Sequence, residues 1–176
     1  MRASEALALK WENIDLVNNE ITIEITASIV KDKDKNSNKS YKVIYTSPKT
    51  AAGKRVIPLA KNAIDAFTNL KNIQDPKSEE EFVFATSSGN PIGLRNIRRT
   101  FNSMQKRVNT DIQNSGMHVL RHTFCSLLVR NGVDKVVIAN ILGQEGTDMI
   151  EKIYQHVTKK EKIDAIKSID ETTILE

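Results

Sequence analysis

Residues 116–132 read GMHVLRHTFCSLLVRNG. The run is rich in helix-compatible apolar residues and stops on Asn131 and Gly132, a pair that ends helices well. On a helix, residues three and four apart share a face, so His118 meets both Arg121 and His122. A guanidinium keeps its charge, so an arginine inside VLRHTF must find a partner. No carboxylate is near it in sequence. A bound phosphate satisfies it, and so does a distant glutamate. His118 and His122 have the i, i+4 spacing of metal ligands, but no Glu stands next to the first His as in the zinc-protease pattern. Cys125 and His156 are the only other strong candidate ligands, and no metal is expected. His122 reads as architecture, hydrogen-bonded to backbone. Cys125 reads as a small buried hydrophobe.

Downstream, DKVVIANILG (134–143) opens on an Asp at the cap position and closes on Gly143. TDMIEKIYQHV (147–157) continues the helical pattern, and a last amphipathic segment surrounds Ile163, Ile166 and Ile169. Upstream, LRNIRRTFNSMQKRV (94–108) places Ile97, Phe101 and Met104 on one stripe and Arg95, Arg98 and Arg99 largely off it. FVFAT (82–86) predicts a short strand closed by the turn residues SSGNP, and Ile64, Phe67 and Leu70 predict a helix. YKVIYTSPKT (41–50) and KRVIPLA (54–60) predict two strands joined as a hairpin around Ala51 to Gly53, with Lys49 close to its tip. NEITIEITASIV (19–30) alternates Ile21, Ile23 and Ile25 with Thr22, Glu24 and Thr26, the mark of a half-buried strand. The self-neutralising run KDKDKNSNKS (31–40) reads as a solvated loop, and MRASEALALKW (1–11) as the middle of a helix. One helix, a small antiparallel sheet near the N-terminus and a run of helices make a mainly helical α+β domain.

A length of 176 residues suits one domain with a real core. Charged residues at 27% and apolar residues at 39% fit a soluble globular chain, with no membrane span and no secretory leader expected. A single cysteine agrees with a reducing compartment, and a cytoplasmic protein follows. The net charge of +4 favours polyanions only if the cations gather on one face. Aromatic residues at 5% leave little for stacking single-stranded bases, so contact with a duplex backbone is the expected mode.

HVLRHTF resembles the H-x-L-R-H motif of the tyrosine recombinases, the phage integrase family. Four further segments fall in the family's order around it. MRASEALALKWENID is similar to its R-x-S-E-x-L-x-L-x-W box, SPKTAAGKRVIPL to its lysine hairpin, LGQ to its L-G-H turn, and IYQHV to its nucleophile box. Together they run from Arg2 to about Val157.

The resemblance implies the catalytic domain of a site-specific recombinase, residues 1–176. By the same token it implies a fragment, without the N-terminal core-binding domain and the first catalytic-domain helix. The family's chemistry is phosphoryl transfer on DNA: a tyrosine hydroxyl attacks the backbone phosphate, leaving a 3′-phosphotyrosine link and a free 5′ hydroxyl. No water enters, so strands are exchanged without a cofactor or a metal. Charge builds on the non-bridging oxygens, where fixed cations help most. On this chain the resemblance assigns the phosphate clamp to Arg2 and Arg121, and the nucleophile to Tyr154. It makes Lys49 the general acid for the 5′ oxygen, with Lys54 and Arg55 close enough to be confused with it. His118 contacts the phosphate and assists proton transfer, while Glu5 either orients a helix or an arginine or forms a simple salt bridge. Gln144 departs from the family's usual His; an amide can donate a hydrogen bond but has no proton to lend, and slower chemistry follows. By their charge, Arg95, Arg98 and Arg99, with Lys106 and Arg107, are expected either to line a DNA-facing surface outside the catalytic residues or to form a solvated helix face. Implied partners are double-stranded attachment sites, a homotetramer in the synaptic complex with a monomer in isolation, and accessory DNA-bending factors. Two alternatives stay open: a DNA-binding relative without catalysis, and a type IB topoisomerase.

Overall fold

The structure, a computed structural model, describes residues 1–33, 41–108 and 116–156. It divides into two compact units, Met1–His118 and Val119–Glu176.

The first unit begins with helix α1 (Ala3–Ala6), which is only one turn long. Arg2 is its cap residue, and the Glu5 carboxylate accepts the Arg2 backbone N–H at 2.6 Å, one half of a capping box. The longer helix expected over residues 1–11 does not form. Tighter turning carries on to Leu9, whose N–H donates to the Ala6 carbonyl, and the backbone is extended at Lys10; Leu7, Ala8, Leu9 and Trp11 are all buried, a run of consecutive apolar positions that a one-sided helix does not provide. A 3₁₀ turn over Trp11–Asn13 follows. The Trp11 indole N–H donates to Gln74 Oε1 at 3.2 Å, and Gln74 Nε2 donates to the Val83 carbonyl at 2.9 Å. A buried indole is thereby satisfied.

Strands β1 (Ile14–Asp15), β2 (Glu20–Ile23) and β5 (Arg55–Pro58) form an antiparallel sheet in the order β1-β2-β5. Strands β3 (Thr26–Lys31) and β4 (Tyr41–Thr46) form a separate two-stranded ribbon. Residues 19–30 are therefore not one strand: they break at Glu24 and Ile25. Ile21 and Ile23 are buried as the alternation requires, while Ile25 is only half-buried. The expected hairpin between residues 41–50 and 54–60 is also corrected. β4 pairs with β3, ending at Thr26↔Thr46, and β5 pairs with β2, starting at Ile23↔Arg55. Residues 24 and 25 thus face the whole segment 47–54 across the ladder. The segment carrying Lys49 is a wide excursion from one side of a long bent antiparallel pairing, and β4 and β5 are not partners. Alternation reveals that a strand has a buried face but not which strand lies beside it.

Helix α2 (Lys61–Gln74) lays Phe67 and Leu70 on the core of Leu9, Trp11, Ile14, Ile21, Ile23 and Val83. FVFAT forms no strand. Val83 is fully buried and its N–H donates to the Leu9 carbonyl, but only the isolated bridges Lys10↔Phe82 and Ala85↔Pro91 are made. The turn that follows is as expected, with Gly89 at φ +76°. Helix α3 (Leu94–Arg107) holds Arg95, Arg98 and Arg99 on an exposed face. Ile97 and Phe101 are half-buried, whereas Met104, read as part of the same apolar stripe, is exposed.

The second unit is helical. Helix α4 (His118–Arg130) ends at Gly132, φ +71°, as its sequence demands. Helix α5 (Lys135–Leu142) is capped by Asp134, whose side chain accepts the N–H groups of Val136 and Val137. It stops at Gly143, φ +66°. Helix α6 covers residues 148–156. Cys125, Val129, Ile138, Ala139, Leu142 and Ile150 make the core, so the lone thiol is the buried hydrophobe expected. Lys135 Nζ and Glu151 Oε1, 2.7 Å apart, tie α5 to α6. Ile163, Ile166, Ile169 and Val157 lie outside the described residues. No helix among the described residues is long and apolar enough to cross a membrane.

Candidate active site

In the first unit the site is organised around Glu5. Its carboxylate is buried, 1% exposed, and accepts four hydrogen bonds. Arg2 donates through its backbone N–H at 2.6 Å and through Nη1 at 2.9 Å. Arg55 donates through Nη2 at 2.9 Å and Nη1 at 3.3 Å. Burial by itself raises a carboxyl pKa, but the Arg55 and Arg2 hydrogen bonds and the Arg55 charge more than reverse this, and Glu5 is held at about 2. The Arg2 side chain remains 39% exposed, so one edge of a fixed guanidinium reaches the surface.

A depressed carboxyl stabilises the fold above its unfolded pKa, and that contribution disappears as the pH falls toward the folded value. For Glu5 the window runs from the ordinary 4.5 down to about 2. The shift corresponds to about 3 kcal/mol. Glu5→Gln is therefore expected to cost about 3 kcal/mol at pH 7 and to flatten the pH dependence of stability across that window, as read by denaturant titrations at stepped pH.

Lys49 sits in the excursion between β4 and β5 and is exposed, as is Lys54. The loop is closed by a close contact: a Cβ added to Gly53 would lie 2.3 Å from Pro48 Cβ, so only glycine fits there. Arg55 is different from both lysines. Its side chain is 7% exposed and bound to Glu5, so it is no competitor for a leaving-group proton. The sequence contained the signal: Arg55 shares the inward parity of β5 with Ile57, and a charge on a buried strand face demands a buried counter-charge.

In the second unit, Arg121 Nη2 donates to the Leu142 carbonyl at 2.6 Å. That carbonyl lies at the C-terminal end of α5, where unpaired carbonyls and the helix dipole favour a cation. The Cys125 thiol, one turn away, is pushed up by burial and pulled part of the way back by the Arg121 charge. Two residues past Leu142, the half-buried Gln144 donates its backbone N–H to the Ala139 carbonyl, while its amide Nε2 lies 3.7 Å from Met149 Sδ. Arg121 and the Leu142–Gln144 turn are thus one local assembly. Tyr154 projects from α6 with 39% of its surface accessible.

His118 is exposed at the start of α4. His122 is exposed too, and no backbone hydrogen bond of the kind expected for it is found among the described residues. No group of three His, Cys, Asp or Glu side chains suited to a metal occurs among the described residues.

Residues 1–161 match the family model described as the phage integrase family. A XerC-like tyrosine recombinase of Caldanaerobacter subterraneus subsp. tengcongensis is 27% identical over 185 aligned positions, covering 99% of this chain and 47% of the relative. The integrase of Staphylococcus phage L54a is 27% identical over 161 positions, covering 91% of this chain and 45% of the relative. The chain thus spans less than half the length of either relative. Among solved structures, the Tn1549 transposon integrase in complex with circular intermediate DNA superposes with a TM-score of 0.68 at 23% identity, over 88% of this chain and 51% of that one. The XerA recombinase gives a TM-score of 0.67 at 17% identity, over 93% of this chain and 51% of that one. These two establish likeness of fold, and the match over residues 1–161 establishes descent: the chain belongs to the phage integrase family.

Proposed function

We propose that residues 1–176 are the catalytic part of a site-specific recombinase that breaks and rejoins duplex DNA through a 3′-phosphotyrosine link. The observation that carries this reading is Arg2: its backbone and guanidinium are both bound to a buried carboxylate, while its side chain stays accessible. A cation held in advance of its ligand is what transition-state charge on a phosphate requires, because little reorganisation is left to do. Arg121, fixed by the Leu142 carbonyl, supplies a second. Tyr154 attacks the phosphorus, Lys49 protonates the 5′ oxygen, and His118 and Gln144 bond the phosphate oxygens. Two half-sites brought together by four protomers, with DNA-bending factors as accessories, complete the cycle in the cytoplasm; the isolated chain is a monomer.

The test works whatever the sequence of the attachment site. A library of duplexes with random flanks and one 5′-bridging phosphorothiolate traps any covalent complex, since the sulfur product does not readily reverse the step. A protein-linked pool that resists boiling and converges on one sequence is expected. Absence of adduct together with sequence-selective binding sinks the catalytic part of the proposal and leaves a DNA-binding relative, the reading that Gln144 favours. Relaxation of supercoiled plasmid with no strand exchange points to the topoisomerase alternative instead.

Gln144 has no proton to lend, so Gln144→His is expected to raise single-turnover cleavage about tenfold on the recovered sequence. An unchanged rate removes Gln144 as the slow point. The exposed Arg95, Arg98 and Arg99 share the surface of α3 with Asn96, Asn102, Ser103 and Lys106 and serve as a DNA-backbone contact. Replacing the three arginines with Gln is expected to lower the slope of log affinity against log salt by about 0.9 for each lost phosphate contact. Anisotropy titrations at several salt concentrations measure it, and an unaltered slope rules the α3 face out.

A further inference from the structure

The mechanism above uses Arg2 and Lys49, which come from segments 47 positions apart and must keep a constant spacing if both are to meet one phosphate. Between them lies a buried guanidinium to which the chemistry gives no role. Arg55 Nη2 is 2.9 Å from Glu5 Oε2, and Arg55 Nη1 is shared between Glu5 Oε1 at 3.3 Å and the Gly53 carbonyl at 2.9 Å. On one side Glu5 holds Arg2. On the other, Gly53 is pressed against Pro48, the neighbour of Lys49, with no room for a Cβ. Arg55 itself is anchored in the sheet opposite Ile23.

We infer that Arg55 is a positioning residue: one guanidinium joins the Glu5–Arg2 pair to the Gly53–Pro48 contact, so that Arg2 and the Lys49 loop keep a fixed spacing. This rests on the catalytic roles proposed for Arg2 and Lys49. Two properties of the triad support it. The first is direction. A planar fork reaches two carboxylate oxygens and a carbonyl at defined angles, which a lysine ammonium cannot reproduce. The second is charge. Arg2 and Glu5 alone cancel, and a neutral pair does little for a phosphate; with Arg55 the group carries a net positive charge, and Arg2 keeps its attraction for an anion. Stability by itself does not call for such a group, because well-packed apolar residues replace buried ion pairs with little loss.

The experiment is performed on the full chain with Arg55→Lys, which preserves the charge and removes the fork. The first readout is nuclear magnetic resonance of the arginine side-chain Nε–H groups and of the backbone amides. The Arg2 side-chain signal and the amides of residues 49–54 are expected to shift together, while Gly143 and Gln144 in the second unit stay in place. Unmoved Arg2 and loop signals overturn the inference, and so does a shift spread evenly through β1, β2 and β5, which marks a general loosening. Should Arg55→Lys fail to fold, Gly53→Ala, which crowds Pro48 and leaves Glu5 and Arg55 in place, is read in the same way: the Arg2 signal is expected to move with the loop, and an unmoved Arg2 overturns the inference. The second readout is calorimetric titration with tungstate, a tetrahedral dianion. Arg55→Lys is expected to bind it about tenfold more weakly, since displacing a fixed group by an ångström costs up to about a hundredfold. If the unaltered chain binds no tungstate while Arg2 and the loop still shift together, the hold exerted by Arg55 stands and the phosphate reading of the site falls. If tungstate binds equally to both proteins, the inference falls and the phosphate reading stands.

Discussion

Tyr154→Phe is expected to abolish the covalent DNA adduct while leaving the fold and DNA affinity intact. The substitution removes one oxygen and keeps the ring, and the side chain is 39% exposed on α6, so core packing is not disturbed. Without the hydroxyl the proposed attack has no nucleophile, and water is not part of the proposed reaction. Loss of at least about four orders of magnitude in adduct formation follows. Denaturing electrophoresis of the phosphorothiolate duplex gives the answer directly. A residual adduct in Tyr154→Phe means that another group attacks, and Tyr41 and Tyr45 of β4 are then the residues to replace. Unchanged anisotropy in the same variant separates lost chemistry from lost binding.

The second large effect concerns Lys49, and it separates a proton donor from a mere counter-charge. With an ordinary 5′ oxygen as leaving group, Lys49→Ala is expected to slow cleavage by about 10²–10⁴-fold. With sulfur in the bridging position the same variant is expected to approach the unaltered protein, since a thiolate leaves without a proton; thiols titrate near about 8.5, far below alcohols. Arg2→Ala, which removes charge from the non-bridging oxygens, stays slow on both substrates. A Lys49→Ala defect that persists on sulfur makes Lys49 part of the phosphate clamp instead. The exposed Lys54 is the control: if it shows the sulfur rescue and Lys49 does not, the acid is the other lysine of the loop. Arg55 is outside the contest because its guanidinium is buried and engaged by Glu5 and Gly53.

Much of this protein is legible from short stretches. Asp134 and Gly143 bound α5, Gly132 follows α4, and Ile64, Phe67 and Leu70 mark α2, because caps and helical periodicity act within a turn or two of the residue concerned. Buried Ile21 and Ile23 follow the same logic at period two. The family, too, is written in the order of Arg2, the Lys49 segment, HVLRHTF, LGQ and Tyr154.

What short stretches do not carry is everything that depends on a partner distant in sequence. The alternation over residues 19–30 is real, yet its two halves pair with different strands, and only the meeting of β2 with β5 and of β3 with β4 turns the Lys49 segment into an excursion. The buried run of Leu7, Ala8 and Leu9 overrides the helix propensity of residues 1–11, because core burial is a sum over the whole unit. Arg121 has no carboxylate near it in sequence, and one of its bonds goes to a carbonyl at the end of another helix, 21 positions on. The parity that Arg55 shares with Ile57 signals an inward charge but names no partner, and only the fold sets Glu5, fifty positions earlier, against it. Local rules determined the ends of α4 and α5 and which family the chain joins. Tertiary structure alone decided which charges are buried together, because a buried charge is tolerated only where the whole fold delivers its counter-charge.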